Sequence, residues 1–204
     1  MLALDRLTEE GHEPVCLITV VSADSGASYM HAASDEVFEE YGRCLGIPMI
    51  LCRSADRYDI PALMKAFGEA KKLGAEVLAT GDIDMPEIKE QNEMIAAKAG
   101  FRAMFPLWEM PRREVLDELF RKQYHYIFTV IDGKLLPTEL LGRELNGETL
   151  KILEASGVDI CGEKGEFHTM VVDGPLFKKP LNLYFKAPRT TADGYVCSTS
   201  GVLR

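Results

Sequence analysis

The residues of this sequence best suited to chemistry are two glutamates and a histidine close together. Glu163, Glu166 and His168 lie within the run Gly-Glu-Lys-Gly-Glu-Phe-His-Thr, residues 162–169. Glycines let the backbone turn tightly and approach a ligand, and carboxylates beside an imidazole can bind a cation, hold a polar substrate or transfer protons. The alternative is an ordinary polar loop that enters a strand, with both glutamates solvated.

The elements that would position this run predict an α/β fold. Apolar runs typical of buried strands alternate with helical patterns from residue 15 to residue 131, and the links between them are short. Such alternation predicts right-handed βαβ units and a parallel sheet with helices on both faces. Because ligands of such sheets bind at the carboxyl ends of the strands, we expect segments 21–31 and 80–84 to lie at the site.

The pattern changes after residue 133. The sequence predicts two short helices and then three strand-like runs, at residues 137–145, 148–156, 167–172, 181–186 and 195–197. We therefore expect an α/β domain at 1–133 and a smaller α+β extension at 134–204, packed on the strand ends and binding the substrate. Residues 187–204 are expected to form either a further strand or a frayed tail.

Composition narrows the class of protein. The chain has 204 residues, 47% of them hydrophobic, and a formal net charge of -9. That length allows a sizeable core, and the negative charge argues against nucleic acid as the main ligand. No apolar run approaches the ~18 residues of a spanning helix, and the five cysteines form no C-x-x-C pair. We expect a cytoplasmic protein with reduced thiols and no membrane partner, and a homodimer is left open.

Five motifs in order give the sequence its family resemblance. They are Gly81 with Ile83, Phe105-Pro-Leu-Trp108, Leu141-Gly-Arg143, the run at 162–169, and Asp173-Gly-Pro-Leu-Phe177. Together they resemble the signature of the diphthine–ammonia ligase family and its bacterial relatives, which are ATP pyrophosphatases of the PP-loop group. The resemblance implies a Rossmann-like parallel sheet of the PP-loop (HUP) type.

The resemblance also implies a reaction. ATP, with Mg, would adenylate a carboxylate of a small molecule or a protein side chain, and pyrophosphate would leave. Ammonia or an amine would then displace AMP to give an amide. On this interpretation Glu166 or His168 accepts a proton from the attacking nitrogen, and Glu163 positions the substrate or a Mg ion.

Two further sets of residues follow from the resemblance. His31, Gly81 and Asp82 are expected at the nucleotide, with an ordinary loop histidine and a helix-capping aspartate as the alternatives. The residues expected at the substrate are Arg143, Gly162, Gly165 and Thr169. For Arg143 the alternative is an ordinary surface ion pair.

One family motif has no counterpart in the sequence. Members of the family begin with a strand and a Ser-Gly-Gly-Lys-Asp-Ser phosphate loop, whereas this sequence opens with Met1-Leu-Ala-Leu, which matches the following helix. Because that strand is central in the family fold, we expect a gap in the sheet with unpaired backbone groups. Met1 is then expected to be an internal methionine of a longer natural protein. A sheet that closes without the strand would contradict this hypothesis.

Two other functions stay open at this point. A non-catalytic nucleotide- or ligand-binding module would keep the pocket and lack the phosphate chemistry, as the missing loop suggests. An adenylate-transferring or thiolating enzyme would need a working cysteine, and Cys161 is the one beside the signature. For Cys161 the alternative is a small buried thiol.

Overall fold

The computed structural model describes residues 1–56, 59–198 and 200–203. Its helices are α1 (Leu2–Glu9), α2 (Asp35–Leu45), α3 (Ile60–Lys72), α4 (Pro86–Ala99), α5 (Arg112–Arg121) and α6 (Gly147–Ser156). Its strands are β1 (Leu17–Ser22), β2 (Met49–Ser54), β3 (Val77–Ala79), β4 (Arg102–Met104), β5 (His125–Asp132), β6 (Phe167–Asp173), β7 (Leu183–Phe185), β8 (Arg189–Thr190), β9 (Tyr195–Cys197) and β10 (Ser200–Val202).

Local sequence determines where several helices begin and end. The helical patterns of the sequence predict helices at residues 35–45 and 86–99, and α2 and α4 have these bounds. Each is followed by a glycine in the left-handed conformation, Gly46 and Gly100, both at φ 72°. Pro86 opens α4, where a missing backbone N–H costs nothing. At the start of α6 the Asn146 side chain accepts hydrogen bonds from the helix, and Thr149 completes a capping box.

The parallel part of the fold consists of two strand pairs. β1 pairs with β2, and β3 pairs with β4, both in parallel. α3 and α4 cover one face of both pairs through a single apolar cluster, in which the rings of Phe67 and Phe101 meet edge to face at 5.5 Å. Ile18 and Val20 of β1 and Leu78 of β3 pack against this cluster. The fold is therefore mixed α/β with parallel strand pairs.

The two parallel pairs are not joined to each other. Within the part of the chain that the structure describes, no hydrogen-bonded ladder links β1 to β3. Each of these strands has a strand partner on one edge only. A sheet closed between them would have contradicted the expected gap, and the residues that the structure describes form no such sheet. The hypothesis that Met1 is internal to a longer protein stays a prediction.

β5 belongs to a different sheet from the one predicted. It lies inside a four-stranded antiparallel sheet of order β6-β5-β9-β8, so its placement as the last strand of the parallel sheet is wrong. Phe128 and Ile131 of β5 are fully buried, and the later strands supply the partners that bury them. β5 precedes the boundary predicted at residue 133 and pairs with strands beyond it, so that boundary does not separate two sheets. The division into two domains stays a prediction.

The last third of the chain contains one helix fewer than predicted, and its final residues are in strands. Residues 137–145 do not form a helix; only Thr138–Leu140 makes a short 3-10 turn, because Gly142 turns into the left-handed region at φ 75° and Glu144 bridges to Ile127 of β5. Residues 187–204 form strands rather than a frayed tail: β9 pairs with β5, and β10 with β7. Thr199 and Arg204 of that segment lie outside the described residues.

The largest apolar cluster holds the second sheet to its helices. It joins α1, α5 and α6 to β5 and β6, with Leu116, Leu153 and Phe128 at its centre. The ring centroids of Phe128 and Phe167 lie 5.2 Å apart. Phe167 belongs to the run at residues 162–169. None of the helices in the described ranges has the length and apolar character needed to cross a membrane.

Candidate functional site

A cleft of about 1200 Å³ opens where β1 and β3 end. Its walls come from the loops after these two strands, from the loop between α6 and β6, and from residues 189–197, which we call the C-terminal segment. We call the loop between α6 and β6, residues 157–166, the signature loop. All but two of the residues that the sequence predicted for the site line this cleft: His31, Gly81, Asp82, Gly162, Glu163, Gly165, His168 and Thr169.

Two glycines give the signature loop its shape. Gly162 and Gly165 have φ angles of 72° and 86°, a region that other residues rarely adopt. A Cβ on Gly162 would stand 2.9 Å from the Phe167 carbonyl oxygen and 3.2 Å from its ring. The Gly162 N–H donates to the Asp159 carbonyl at 2.9 Å, and the Gly165 N–H to the Gly162 carbonyl at 3.0 Å. The loop is therefore a tight double turn that only glycine allows at these positions.

Glu166 closes the signature loop from inside. Its side chain is buried, with the residue 7% exposed, and it does not line the cleft. One carboxylate oxygen accepts the Asp159 N–H at 2.9 Å, and the other accepts the Lys164 N–H at 3.1 Å. Both oxygens thus satisfy backbone donors of the loop. The structure places Glu166 as a support of the loop and does not bring it to the site.

We expect Glu166→Gln to destabilise the fold by about 1–3 kcal/mol, because an amide leaves at least one of these buried N–H groups without an acceptor. Urea unfolding measures the change. Glu148→Gln is the matched control, since Glu148 is exposed on α6 and its ion pair with Arg143 contributes little. Equal stability of the two variants would contradict the supporting role.

Glu163 is the carboxylate of the signature run that lines the cleft. Burial raises its pKa to about 7; the Arg112 guanidinium opposes this, and the negative charges of Asp159, Asp82 and Asp84 add to it. A carboxyl group that titrates near neutral pH can both hold and release a proton under physiological conditions. Glu163 therefore has the property expected of a general base.

Two histidine rings meet in the lining of the cleft. The rings of His31, from the loop after β1, and His168, from β6, lie edge to face with centroids 6.1 Å apart. His31 Nδ1 is buried without a hydrogen-bond partner. Burial, followed by the proximity of His168, lowers the pKa of His31 to about 4. His31 is thus a neutral imidazole with an unused nitrogen, suited to an uncharged polar group of a ligand.

Asp82 lies at the end of β3 and is held by two neighbours. Its Oδ2 accepts the Thr80 hydroxyl at 2.6 Å and the Asn92 amide at 2.8 Å. It is not the N-cap of α4, since Met85 occupies that position, so the capping alternative is not observed. Among the residues that the structure describes, no group of three His, Cys, Asp or Glu side chains is arranged to hold a metal ion.

The surroundings of Arg143 and Cys161 favour the alternatives that the sequence left open for them. Arg143 is outside the cleft lining and pairs with Glu148 at 3.1 Å on the surface, which is the ordinary ion pair named above as its alternative. Burial and the nearby Asp159 raise the pKa of Cys161 to about 12. A protonated thiol is a poor nucleophile, so the thiolating enzyme loses its candidate. All five cysteines are free thiols.

Comparison with known proteins supports the family resemblance seen in the sequence. The family described as diphthamide synthase C-terminal domain matches residues 111–196, from α5 to β9. The diphthine–ammonia ligase of Rattus norvegicus is 24% identical over 203 residues, covering 86% of this chain and 75% of its own. That of Danio rerio is 28% identical over 195 residues, covering 84% and 76%. Over most of its length this chain is therefore similar to diphthine–ammonia ligases.

A solved structure was also found, a predicted subunit of tRNA methyltransferase from Methanocaldococcus jannaschii. It covers 88% of this chain and 93% of its own at 14% identity, with a TM-score of 0.38. A score that low does not define a shared fold.

The family match includes cleft residues that sequence analysis missed. The C-terminal segment contributes four of them, Arg189, Thr191, Asp193 and Tyr195, and Cys197 lines the cleft just beyond the match. The Tyr195 hydroxyl would stand 3.5 Å from a Cβ on Gly165, so this segment contacts the signature loop. The signal that could have located the segment was the apolar run at 195–197, whose pairing with β5 brings its neighbours to the cleft.

Proposed function

We propose that this chain belongs to the diphthine–ammonia ligase family and is an ATP-dependent amide-forming ligase. ATP adenylates a carboxylate and releases pyrophosphate, and ammonia or an amine displaces AMP. The observation that supports this most is the position of Glu163, an acid with a pKa near neutrality in a cleft at the ends of parallel strands. Family membership supports the use of ATP, and the acceptor is proposed only as a carboxylate.

The wall near β1 is proposed to hold the nucleoside of ATP. Ile18 and Val20 supply apolar surface there, and His31 supplies the neutral imidazole nitrogen that has no partner within the protein. A mainly apolar wall with a few polar groups is the usual composition of a small-molecule pocket. On this proposal the two parallel pairs belong to a Rossmann-like sheet of the PP-loop type, with the nucleotide over its strand ends.

The opposite wall is proposed to meet the charged groups of the substrates. Lys164 and Arg189 line the cleft and carry the positive charge that phosphates require. Magnesium would arrive with ATP, held mainly by phosphate oxygens and water, as is usual for this ion. Asp82, fixed by Thr80 and Asn92, is the cleft carboxylate best placed by its neighbours to receive the ribose hydroxyls or a water bound to the ion.

Glu163 is proposed to accept the proton of the second step. When ammonia or an amine attacks the acyl-adenylate, the new carbon–nitrogen bond forms as the bond to AMP breaks, and the nitrogen must lose a proton. A base with a pKa near 7 is deprotonated in a large fraction of molecules at neutral pH and still binds the proton usefully. His168, which also lines the cleft, is the second candidate for this proton. Glu166 has both oxygens occupied by the loop.

The test is pyrophosphate release by the purified chain with MgATP, ammonium and a panel of carboxylates. We expect release that depends on one class of carboxylate, with AMP and an amide formed in equal amounts. Binding of MgATP with no release on any carboxylate would instead support the non-catalytic module. AMP without an amide would contradict the ligase.

A further inference from the structure

Arg112 forms ion pairs with two aspartates beside the cleft, Asp84 and Asp159. It lies outside the five motifs of the family resemblance. It is the first residue of α5. Its guanidinium binds both carboxylate oxygens of Asp84, one of them at 2.8 Å, and donates through Nε to Asp159 at 2.9 Å. Asp84 lies in the loop after β3, and Asp159 lies in the signature loop. One side chain thus ties together two walls of the cleft.

The contact with Asp159 continues into the signature loop. The Asp159 side chain is 7% exposed, and its second oxygen accepts the Cys161 N–H at 2.9 Å. The Cys161 thiol in turn contacts the Arg112 carbonyl oxygen at 3.6 Å. Arg112 therefore touches the signature loop through its side chain and through its backbone, immediately before Gly162 and Glu163.

A planar guanidinium fits this task better than other cations. It presents five N–H donors in a rigid fork, so it can bind one carboxylate with two parallel bonds and a second through Nε. A lysine ammonium would keep the charge but could not hold both carboxylates in a fixed relative position. The hydrogen bonding of the guanidinium to the Asp84 carboxylate is the main cause that raises the pKa of Arg112, which stays charged at any physiological pH.

We propose that Arg112 is a positioning residue, which ties the signature loop to the loop after β3 and so fixes where the Glu163 carboxylate stands in the cleft. This inference rests on the proposed function of Glu163 as the base. The two effects expected of Arg112, however, are on the order of the signature loop and on the charge near Glu163. Both can be measured without any substrate.

The experiment uses two readouts on the full chain. Carbon-13 labelling of the glutamate carboxyls gives the titration midpoint of Glu163, assigned by its loss in Glu163→Gln. Amide hydrogen exchange of Cys161, Gly162 and Lys164 reports the order of the loop. Arg113→Gln is the matched control, because Arg113 is the next residue of the same helix and forms a surface ion pair with exposed Glu154.

The expected results differ in sign between variants. Arg112→Gln raises the Glu163 midpoint, since a cation that favours the carboxylate is lost, and Asp84→Asn lowers it, since a nearby negative charge is lost. Loop exchange accelerates in both, by about tenfold or more, because the link between the walls is broken. Arg112→Lys keeps the midpoint near that of the wild type and still accelerates exchange. Arg113→Gln changes neither quantity.

Two outcomes would overturn the proposal. If Arg112→Gln leaves loop exchange at the wild-type rate, Arg112 does not order the loop. If its Glu163 midpoint is unchanged while the fold is intact by circular dichroism, Arg112 does not act on Glu163. Should Arg112→Gln fail to fold, the loop exchange of Arg112→Lys and of Asp84→Asn decides the first point, and the Glu163 midpoint of Asp84→Asn decides the second. Failure of the chain to release pyrophosphate would refute the ligase and leave these two results standing.

Discussion

Replacing Glu163 with glutamine is expected to lower the rate of ATP-dependent amide formation by about a hundredfold or more at pH 8. In the wild type the rate should rise with pH through a midpoint of about 7, where the Glu163 carboxyl loses its proton. Glutamine has no proton to lose, so this rise should disappear. The pH dependence of pyrophosphate release, measured for both proteins, checks the prediction.

Glu163→Gln should also be more stable than the wild type at pH 8, although it is less active. Burial raises the folded-state pKa of Glu163 from 4.5 to about 7. The folded state therefore binds the proton more tightly than the unfolded state, and the stability due to that proton is lost as pH rises through this range. Solvent screens a half-buried group, so the effect is smaller than the full pKa shift would give. We expect the free energy of unfolding of Glu163→Gln at pH 8 to exceed that of the wild type by ~1–2 kcal/mol.

The control for Glu163 is another acidic residue that lines the same cleft. Asp193 also lines the cleft, from the C-terminal segment, and Asp193→Asn should keep the pH dependence with its midpoint near 7. A rising limb that survives in Glu163→Gln would show that another group accepts the proton, and His168 would then be the first to test.

Phe128→Ala is expected to destabilise the protein by about 3–5 kcal/mol, the usual cost of removing a buried aromatic ring. Phe128 is fully buried in β5, and its ring packs on Phe167, which in turn lies against Gly162. The cavity would therefore open beneath the signature loop as well as in the core. Urea unfolding measures the loss, and hydrogen exchange in the loop reports its spread.

A matched truncation at the surface should cost little. Leu135 is 51% exposed just beyond β5, and Leu135→Ala is expected to change stability by less than about 0.5 kcal/mol. If Phe128→Ala costs no more than Leu135→Ala, Phe128 is not the centre of the core described above.

Local patterns predicted the elements of this fold well. α2 and α4 have their predicted bounds, because glycine and proline at their ends act on the backbone directly. The cleft contains most of the predicted site residues for a similar reason. Strand ends and glycine turns determine where a loop lies, and both are visible in the sequence.

Pairing and side-chain partners could not be predicted in this way. β5 has the apolar pattern of a buried strand in any sheet, and its antiparallel partners come from residues more than thirty positions later. Glu166 and Glu163 are the same residue type three positions apart, yet one binds the loop backbone and the other lines the cleft. Arg112 acquires its role only when two distant loops meet.

The most direct test of the account is a calorimetric titration of MgATP into the wild type, His31→Ala and Arg143→Ala. His31 lines the cleft with an unused nitrogen, and Arg143 lies outside it. We predict that the wild type and Arg143→Ala bind with equal affinity, with a Kd between about 1 µM and 1 mM, and that His31→Ala binds about fivefold or more weakly, the effect of one lost hydrogen bond. No binding by the wild type, or equal binding by all three proteins, would contradict the assignment of this cleft as the ATP site.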